Sequence, residues 1–165
     1  MPADDFSIKE ADPSHRDAIM ALMPRLADYD VPASRNPKHL WMSDAEMLDQ
    51  WYAGELECLV HVALDSNENV IGFSLVRLRP ELLSHEPSAH LEAIAIDKSA
   101  EGKGVAKALM QNAEQCAADG GALTMTLHVF AVNTRARRLY EKAGYDGELM
   151  RYIKPLADEP KDNGA

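Results

Sequence analysis

A chain of 165 residues that is 46% hydrophobic has the size and apolar content of one domain, able to bury a core without disulfide staples. Its formal net charge of −10 argues against nucleic acid as a partner, no apolar run approaches membrane-spanning length, and the acidic start Met1-Pro2-Ala3-Asp4-Asp5 is unlike a signal peptide. Cys58 and Cys116 form no C-x-x-C pair and read as buried thiols of a cytoplasmic protein.

Phe6-Ser7-Ile8 alternates as a short strand, and Asp12-Pro13-Ser14 supplies a turn and N-cap before the helical stripe Ala18, Ile19, Leu22, Leu26, which Pro24 kinks or ends. Residues 29–42 are irregular yet hold Tyr29, His39 and Trp41, the composition of a loop folded over something. Ser43-Asp44-Ala45-Glu46 predicts a capping box opening a helix to about Tyr52. Residues 58–64 and 70–79 are strand-like and joined by a polar hairpin connection, and residues 80–88 form a longer polar connection.

Residues 90–97 predict a third meander strand with Leu91, Ala93 and Ala95 on one face and Glu92, Ile94 and Ile96 on the other. The period then changes to 3.6: Val105, Leu109, Met110, Ala113, Cys116 and Ala117 make a helical stripe ending at Gly120-Gly121. Residues 124–130 predict a strand, 133–143 a helix stopped by Gly144, and 148–153 a last strand. The fold class is α+β (mixed α/β): an antiparallel meander leading into a β-α-β crossover. We expect a single domain over residues 1–156 and a flexible tail over 157–165.

Between the third strand and the long helix lies Glu101-Gly102-Lys103-Gly104-Val105-Ala106. Two glycines let the backbone turn tightly and bring amide N–H groups close to a ligand, while the N-terminus of a helix favours phosphate. Lys98, Lys103 and Lys107 add positive charge. A P-loop is excluded because Val105, not lysine, follows Gly104, and a dinucleotide fingerprint is excluded because Lys107 stands at the third glycine position. As ordinary turn residues, Gly102 and Gly104 would need no ligand.

This turn resembles the acetyl-CoA signature of the GNAT family of N-acetyltransferases, Arg/Gln-x-x-Gly-x-Gly/Ala, with Glu101 two places before Lys103 in a stretch that keeps the glycine, second-glycine and alanine positions. Where the family usually carries arginine or glutamine at the first position, this chain carries Glu101. The segment from Asn133-Thr134-Arg135-Ala136 through Leu139-Tyr140-Glu141-Lys142-Ala143-Gly144-Tyr145 is similar to the family's Asn-x-x-Ala-x-x-Leu-Tyr-Glu-Lys-x-Gly-Phe. The resemblance implies a central, mostly antiparallel sheet with two splayed strands that make a wedge for acetyl-CoA. In it, Ile94, Ala95 and Ile96 would hydrogen-bond the pantetheine arm through their backbone. Amides of Gly102, Lys103, Gly104, Val105, Ala106 and Lys107 would hold the pyrophosphate, and Asn133 would touch the cofactor unless it serves only as an N-cap.

The resemblance further implies that Tyr140 is a general acid for the leaving thiolate, in cofactor contact, with a phenol pKa of ~10 near that of a thiol. Glu92 would be a general base or a cation anchor; a salt bridge to an arginine on a neighbouring strand is the structural alternative. The backbone amide near Ile94 would polarise the carbonyl. His90 and His128 are alternative bases. No histidine or cysteine spacing suggests a metal. Tyr29, Asp30 and Trp41, with Asp28, Glu81 and Glu86, mark the loops expected to select a small cationic amine. A protein N-terminus or lysine is the alternative acceptor, and a non-catalytic acyl-CoA sensor the alternative of another class. An incomplete sheet edge near residues 148–153 leads us to expect a homodimer.

Overall fold

The computed structural model describes residues 5–157; the first four residues and most of the expected tail, 158–165, lie outside the described residues. Strand β1 (Phe6–Glu10) runs antiparallel to β2 (Leu59–Asp65), with Phe6 opposite Asp65 and Glu10 opposite His61. β2 and β3 (Val70–Pro80) form the expected hairpin, whose turn is organised by the Asp65 carboxylate accepting hydrogen bonds from the backbone of Asn67 and Asn69. β4 (Pro87–Ile96) is antiparallel to β3, and β5 (Thr124–Leu127) adds to β4 in parallel, giving the order β1-β2-β3-β4-β5.

Helices cover both faces. Helix α1 (Arg16–Leu22) is entered through a short 3-10 turn capped by Asp12, and it ends before Pro24, beyond which the chain tightens into a second 3-10 turn, Met23–Ala27. Helix α2 (Met42–Tyr52) begins one residue before the expected capping box; Trp41 is its N-cap and contributes no side-chain hydrogen bond, so the Ser43–Glu46 box is not formed. α1, the 3-10 turn after it and α2 bury Ile19, Leu22, Met23 and Leu48 against Val62, Phe73, Leu75, Ala93 and Ala95. Helix α3 (Val105–Asp119) covers the other face with Leu109, Met110 and Ala113, and helix α4 (Thr134–Lys142) leans Leu139 and Tyr140 on the same side.

Three sequence expectations need correction. Residues 148–153 form no strand: Leu149, Met150, Tyr152 and Ile153 are exposed, because strand-like composition yields a strand only where a neighbour offers a hydrogen-bonding edge. β5 stops at Leu127 instead of reaching residue 130, since β4 accompanies it only from Ser88 to Leu91. Finally, the simple alternation in β4 is broken. Leu75 pairs with Ala93 but Val76 pairs with Leu91, so Glu92 is the extra residue of a β-bulge. Ala89 and Leu91 therefore pack toward α3, whereas Ala93 and Ala95 pack toward α1 and α2. Glu92 does not share the face of Ile94 and Ile96, which lie against Val105 and Leu109 of α3; it emerges on the α2 side.

Candidate active site

The bulge and the end of β5 together shape the site. Past Leu91, β4 has β3 on one side and no strand on the other among the described residues, so residues 92–96 present an open edge beside the parallel β4–β5 pair. Asp97 donates its N–H to the Ile71 carbonyl at 2.8 Å, which makes Ala95 and Phe73 the next hydrogen-bonded pair and turns the backbone groups of Ile94 and Ile96 outward. Of the three residues expected to bind through their backbone, Ile94 and Ile96 face the opening and Ala95 faces β3. The Ile96 carbonyl accepts a hydrogen bond from Arg25 Nε at 3.0 Å.

At the foot of this edge, Gly102 and Gly104 have φ of +77° and +80°. Only glycine adopts this backbone cheaply, and no atom lies within 4 Å of a Cβ placed on either. The left-handed turn delivers the free N–H groups of the first turn of α3, a helix of 15 residues, into open space. Lys103 and Lys107 are exposed beside it. An open strand edge, a glycine turn at a helix N-terminus and flanking lysines suit an extended ligand bearing a pyrophosphate.

Glu101 is neutralised rather than left against that ligand. Arg135 of α4 approaches its Oε1 at 3.1 Å, and Arg25 of the 3-10 turn binds the same oxygen. The two arginines hold the Glu101 carboxyl below the usual range, against the opposing effect of desolvation. Arg25 also pairs with Asp28, so two arginines balance two carboxylates here and the Glu101 charge is compensated by segments distant in the chain.

Tyr140, on α4, packs among the cluster around Leu91 and Met110, and burial pushes its phenol pKa above the ordinary value. Its ring meets Tyr145 in an edge-to-face contact with centroids 6.2 Å apart. The Tyr145 hydroxyl is buried with no hydrogen-bond partner among the described residues, and burial first, then Glu114 and Tyr140, push its pKa to about 12. Both phenols therefore keep their protons at neutral pH. Asn133 accepts a hydrogen bond from the Ala136 N–H at 3.3 Å, an ordinary N-cap.

Glu92 reaches the α2 side of the sheet with a side chain only 14% exposed, and its Oε1 has no hydrogen-bond partner among the described residues. Arg79 of β3 lies 3.8 Å from that oxygen, the cross-strand ion pair named as the structural alternative, at a distance too long for a hydrogen bond. His90 is buried, with its Nδ1 2.7 Å from Thr126 Oγ1 and its ring 4.7 Å from that of His128. Burial, aided by Arg79 and His128, depresses its pKa to about 4. A neutral imidazole that takes up a proton so reluctantly is a weak base; His128, beyond the end of β5, is exposed.

Tyr29, Asp30 and Trp41 are distributed rather than gathered. Trp41 lines a cleft of about 510 Å³ with Pro24, Arg25 and Lys38, Tyr29 sets its ring 6.2 Å from Phe130, and Asp30 is solvent-exposed. Sequence reasoning missed Asp44. It stands in the first turn of α2, buried, and desolvation followed by repulsion from Glu92 raises its pKa from 3.8 to about 7. Its first-turn position reads as helix-end stabilisation, and only the packing of α2 on the sheet, within reach of the Glu92 charge, gives it a second meaning. No group of three or more potential metal ligands occurs among the described residues, and no helix there is long and apolar enough to cross a membrane.

The model of the acetyltransferase (GNAT) family matches residues 23–145. Mycothiol acetyltransferase of Renibacterium salmoninarum is 29% identical over 116 residues, covering 67% of this chain and 32% of that protein. The chain spans between 32% and 59% of the length of the curated relatives it matches. Among solved structures, a Pyrococcus furiosus protein assigned as an acetyl transferase superposes with a TM-score of 0.74 at 22% identity over 92% of this chain and 99% of its own. AAC(6')-Iy in complex with the bisubstrate analogue CoA-S-monomethyl-acetylneamine does so with a TM-score of 0.66 at 20% identity over 91% and 98%. The splayed β4 edge, the glycine turn and the family match over most of the chain agree, and the chain belongs to the GNAT acetyltransferase family, whose co-substrate is acetyl-CoA.

Proposed function

We propose that this GNAT protein transfers the acetyl group of acetyl-CoA to the primary amine of a small cationic metabolite. The observation that carries the reading is the meeting of a largely buried carboxylate at the Glu92 bulge, one oxygen of which has no hydrogen-bond partner among the described residues, with the open edge of β4 and a glycine turn suited to pyrophosphate. Acetyl-CoA supplies an activated acyl thioester. Residues 94 and 96 pair with its pantetheine arm as a sheet edge pairs with an added strand, and the amides of residues 102–107 take the pyrophosphate. Glu92 accepts a proton from the incoming ammonium, so that neutral nitrogen attacks the acyl carbon; Tyr140 holds a proton at its phenol oxygen for the departing sulfur. Mycothiol and aminoglycoside names among the relatives and neighbours favour a small acceptor.

The test is thiol release from acetyl-CoA across a panel of alkylamines, diamines, amino sugars and lysine peptides. Release that depends on a small amine supports the proposal, release only with peptides moves the acceptor to protein, and tight acetyl-CoA binding without release on any amine makes the protein an acyl-CoA sensor. Gly104→Val should weaken acetyl-CoA binding roughly tenfold, because a β-branched residue at φ of +80° costs ~1–2 kcal/mol and adds bulk where the pyrophosphate approaches. Unchanged affinity by calorimetric titration would remove the turn from the binding site.

The reading includes a homodimer. Among the described residues, the outer edge of β5 has no strand partner and Leu149, Met150, Tyr152 and Ile153 are exposed, a surface suited to a second copy of the chain. Sedimentation equilibrium should give twice the 18.2 kDa chain mass; a monomer at micromolar concentration would refute this part.

A further inference from the structure

Asp44 retains only 9% of its surface exposed, three residues after the cleft-lining Trp41. Carboxylates are almost never buried so far without a cation or hydrogen-bond donors to compensate them. Among the described residues Asp44 has neither, and the charge that acts on it is the like charge of Glu92. Glu92 approaches from β4 with one oxygen sealed from solvent and without a hydrogen bond, and the bulge is what directs it toward α2. Arg79 lies near Glu92 alone. Arg77, whose Nε is buried without a partner, acts with Glu92 on the Cys58 thiol, and the buried His90 beside Arg79 and His128 is neutral. Two largely buried carboxylates from different elements thus lie on the same side of the sheet, near enough for the charge of one to act on the other, and among the described residues no arginine pairs with Asp44.

From this geometry we infer that Asp44 and Glu92 form a two-carboxylate socket for a primary ammonium group, in which Asp44 determines that the acceptor is cationic. The inference rests on the acetyltransferase reading for the identity of the ligand as acceptor. A primary ammonium is compact and carries three N–H donors, enough to satisfy both carboxylates and still point its carbon substituent outward. Inserted between the pair, it replaces repulsion with two charge-assisted hydrogen bonds. A neutral amine or an alcohol cannot do this. Glu92 keeps contact with the reacting nitrogen, whereas Asp44 fixes and selects the ammonium from the α2 side.

Asp44→Asn keeps the shape of the side chain and removes its charge, so the fold should survive. Calorimetric titration of the protein in the presence of CoA should show 1,4-diaminobutane and 2-phenylethylammonium binding at least about tenfold more weakly to Asp44→Asn than to the native chain, with CoA affinity unchanged. Binding to the native chain should weaken as the solution is acidified below neutrality and Asp44 takes up its proton; the variant should lack that dependence. In turnover, Asp44→Asn should raise KM for 2-phenylethylamine and leave KM for aniline, which is neutral at the same pH, unaltered. Equal effects on both amines, native-like ammonium binding by the variant, or no ammonium binding by the native chain would each overturn the socket. Asp44-dependent ammonium binding without thiol release from acetyl-CoA would uphold the socket and defeat the acetyl-transfer reading.

Discussion

Replacing Tyr140 with phenylalanine should lower kcat for acetyl transfer by ~10²–10⁴ and leave acetyl-CoA affinity nearly unchanged. The phenol is held in an apolar cluster with Leu91, Met110 and Leu139, and burial raises its pKa, so it arrives at the reaction protonated. Phenylalanine preserves the ring, its packing and the edge-to-face contact with Tyr145, so only the proton and the hydroxyl dipole are lost. A binding defect is therefore not expected, which separates this substitution from Gly104→Val. Single-turnover kinetics with saturating acetyl-CoA would measure the effect. Full activity in Tyr140→Phe would pass the role to another group, and the buried, unpartnered hydroxyl of Tyr145 is the next phenol to test.

Glu92→Gln should reduce kcat by a similar ~10²–10⁴, with the loss shrinking as pH rises and more of the amine is already neutral. A base that only anchored the ammonium would instead show its loss in KM. The substitution also bears on Asp44, whose pKa stands near 7 against an ordinary 3.8 partly because Glu92 repels its ionised form. A carboxyl whose pKa is raised by folding binds its proton more tightly in the native state. Its contribution to stability is thus fullest below about pH 3.8 and declines as pH rises to about 7. Removing the Glu92 charge should narrow that window from its upper end. Urea denaturation of the native chain and of Glu92→Gln at pH 5 and pH 8 would register it: the decline between the two pH values should be smaller in the variant.

Element order, the α3 stripe and the glycine turn were legible because each is a local pattern. Helical period, turn glycines and an N-capping asparagine depend on neighbours within a few residues, and the structure places α3 at Val105–Asp119 and α4 at Thr134–Lys142 with Asn133 as cap. What escaped depends on approach between distant segments. Glu101 looked like the loss of a cationic contact, yet Arg25 lies 76 residues before it in the chain and, with Arg135, pairs with it in the fold. Asp44 became a buried acid only when α2 docked on the sheet. Residues 148–153 have strand composition, but composition does not supply a partner.

The bulge at Glu92 makes the strand change parity. Before it, odd-numbered residues such as Ala89 and Leu91 face α3; after it, odd-numbered residues such as Ala93 and Ala95 face α1 and α2. One inserted residue therefore lets a single strand obey two opposite reading frames, and a deletion at position 92 would not simply remove a carboxylate. It would cancel the frame change at the point where the acceptor side and the cofactor edge meet, forcing either the 88–91 half or the 93–96 half to turn its side chains over. Positions on β4 can accordingly be compared with those of relatives only after the extra residue is aligned with its counterpart.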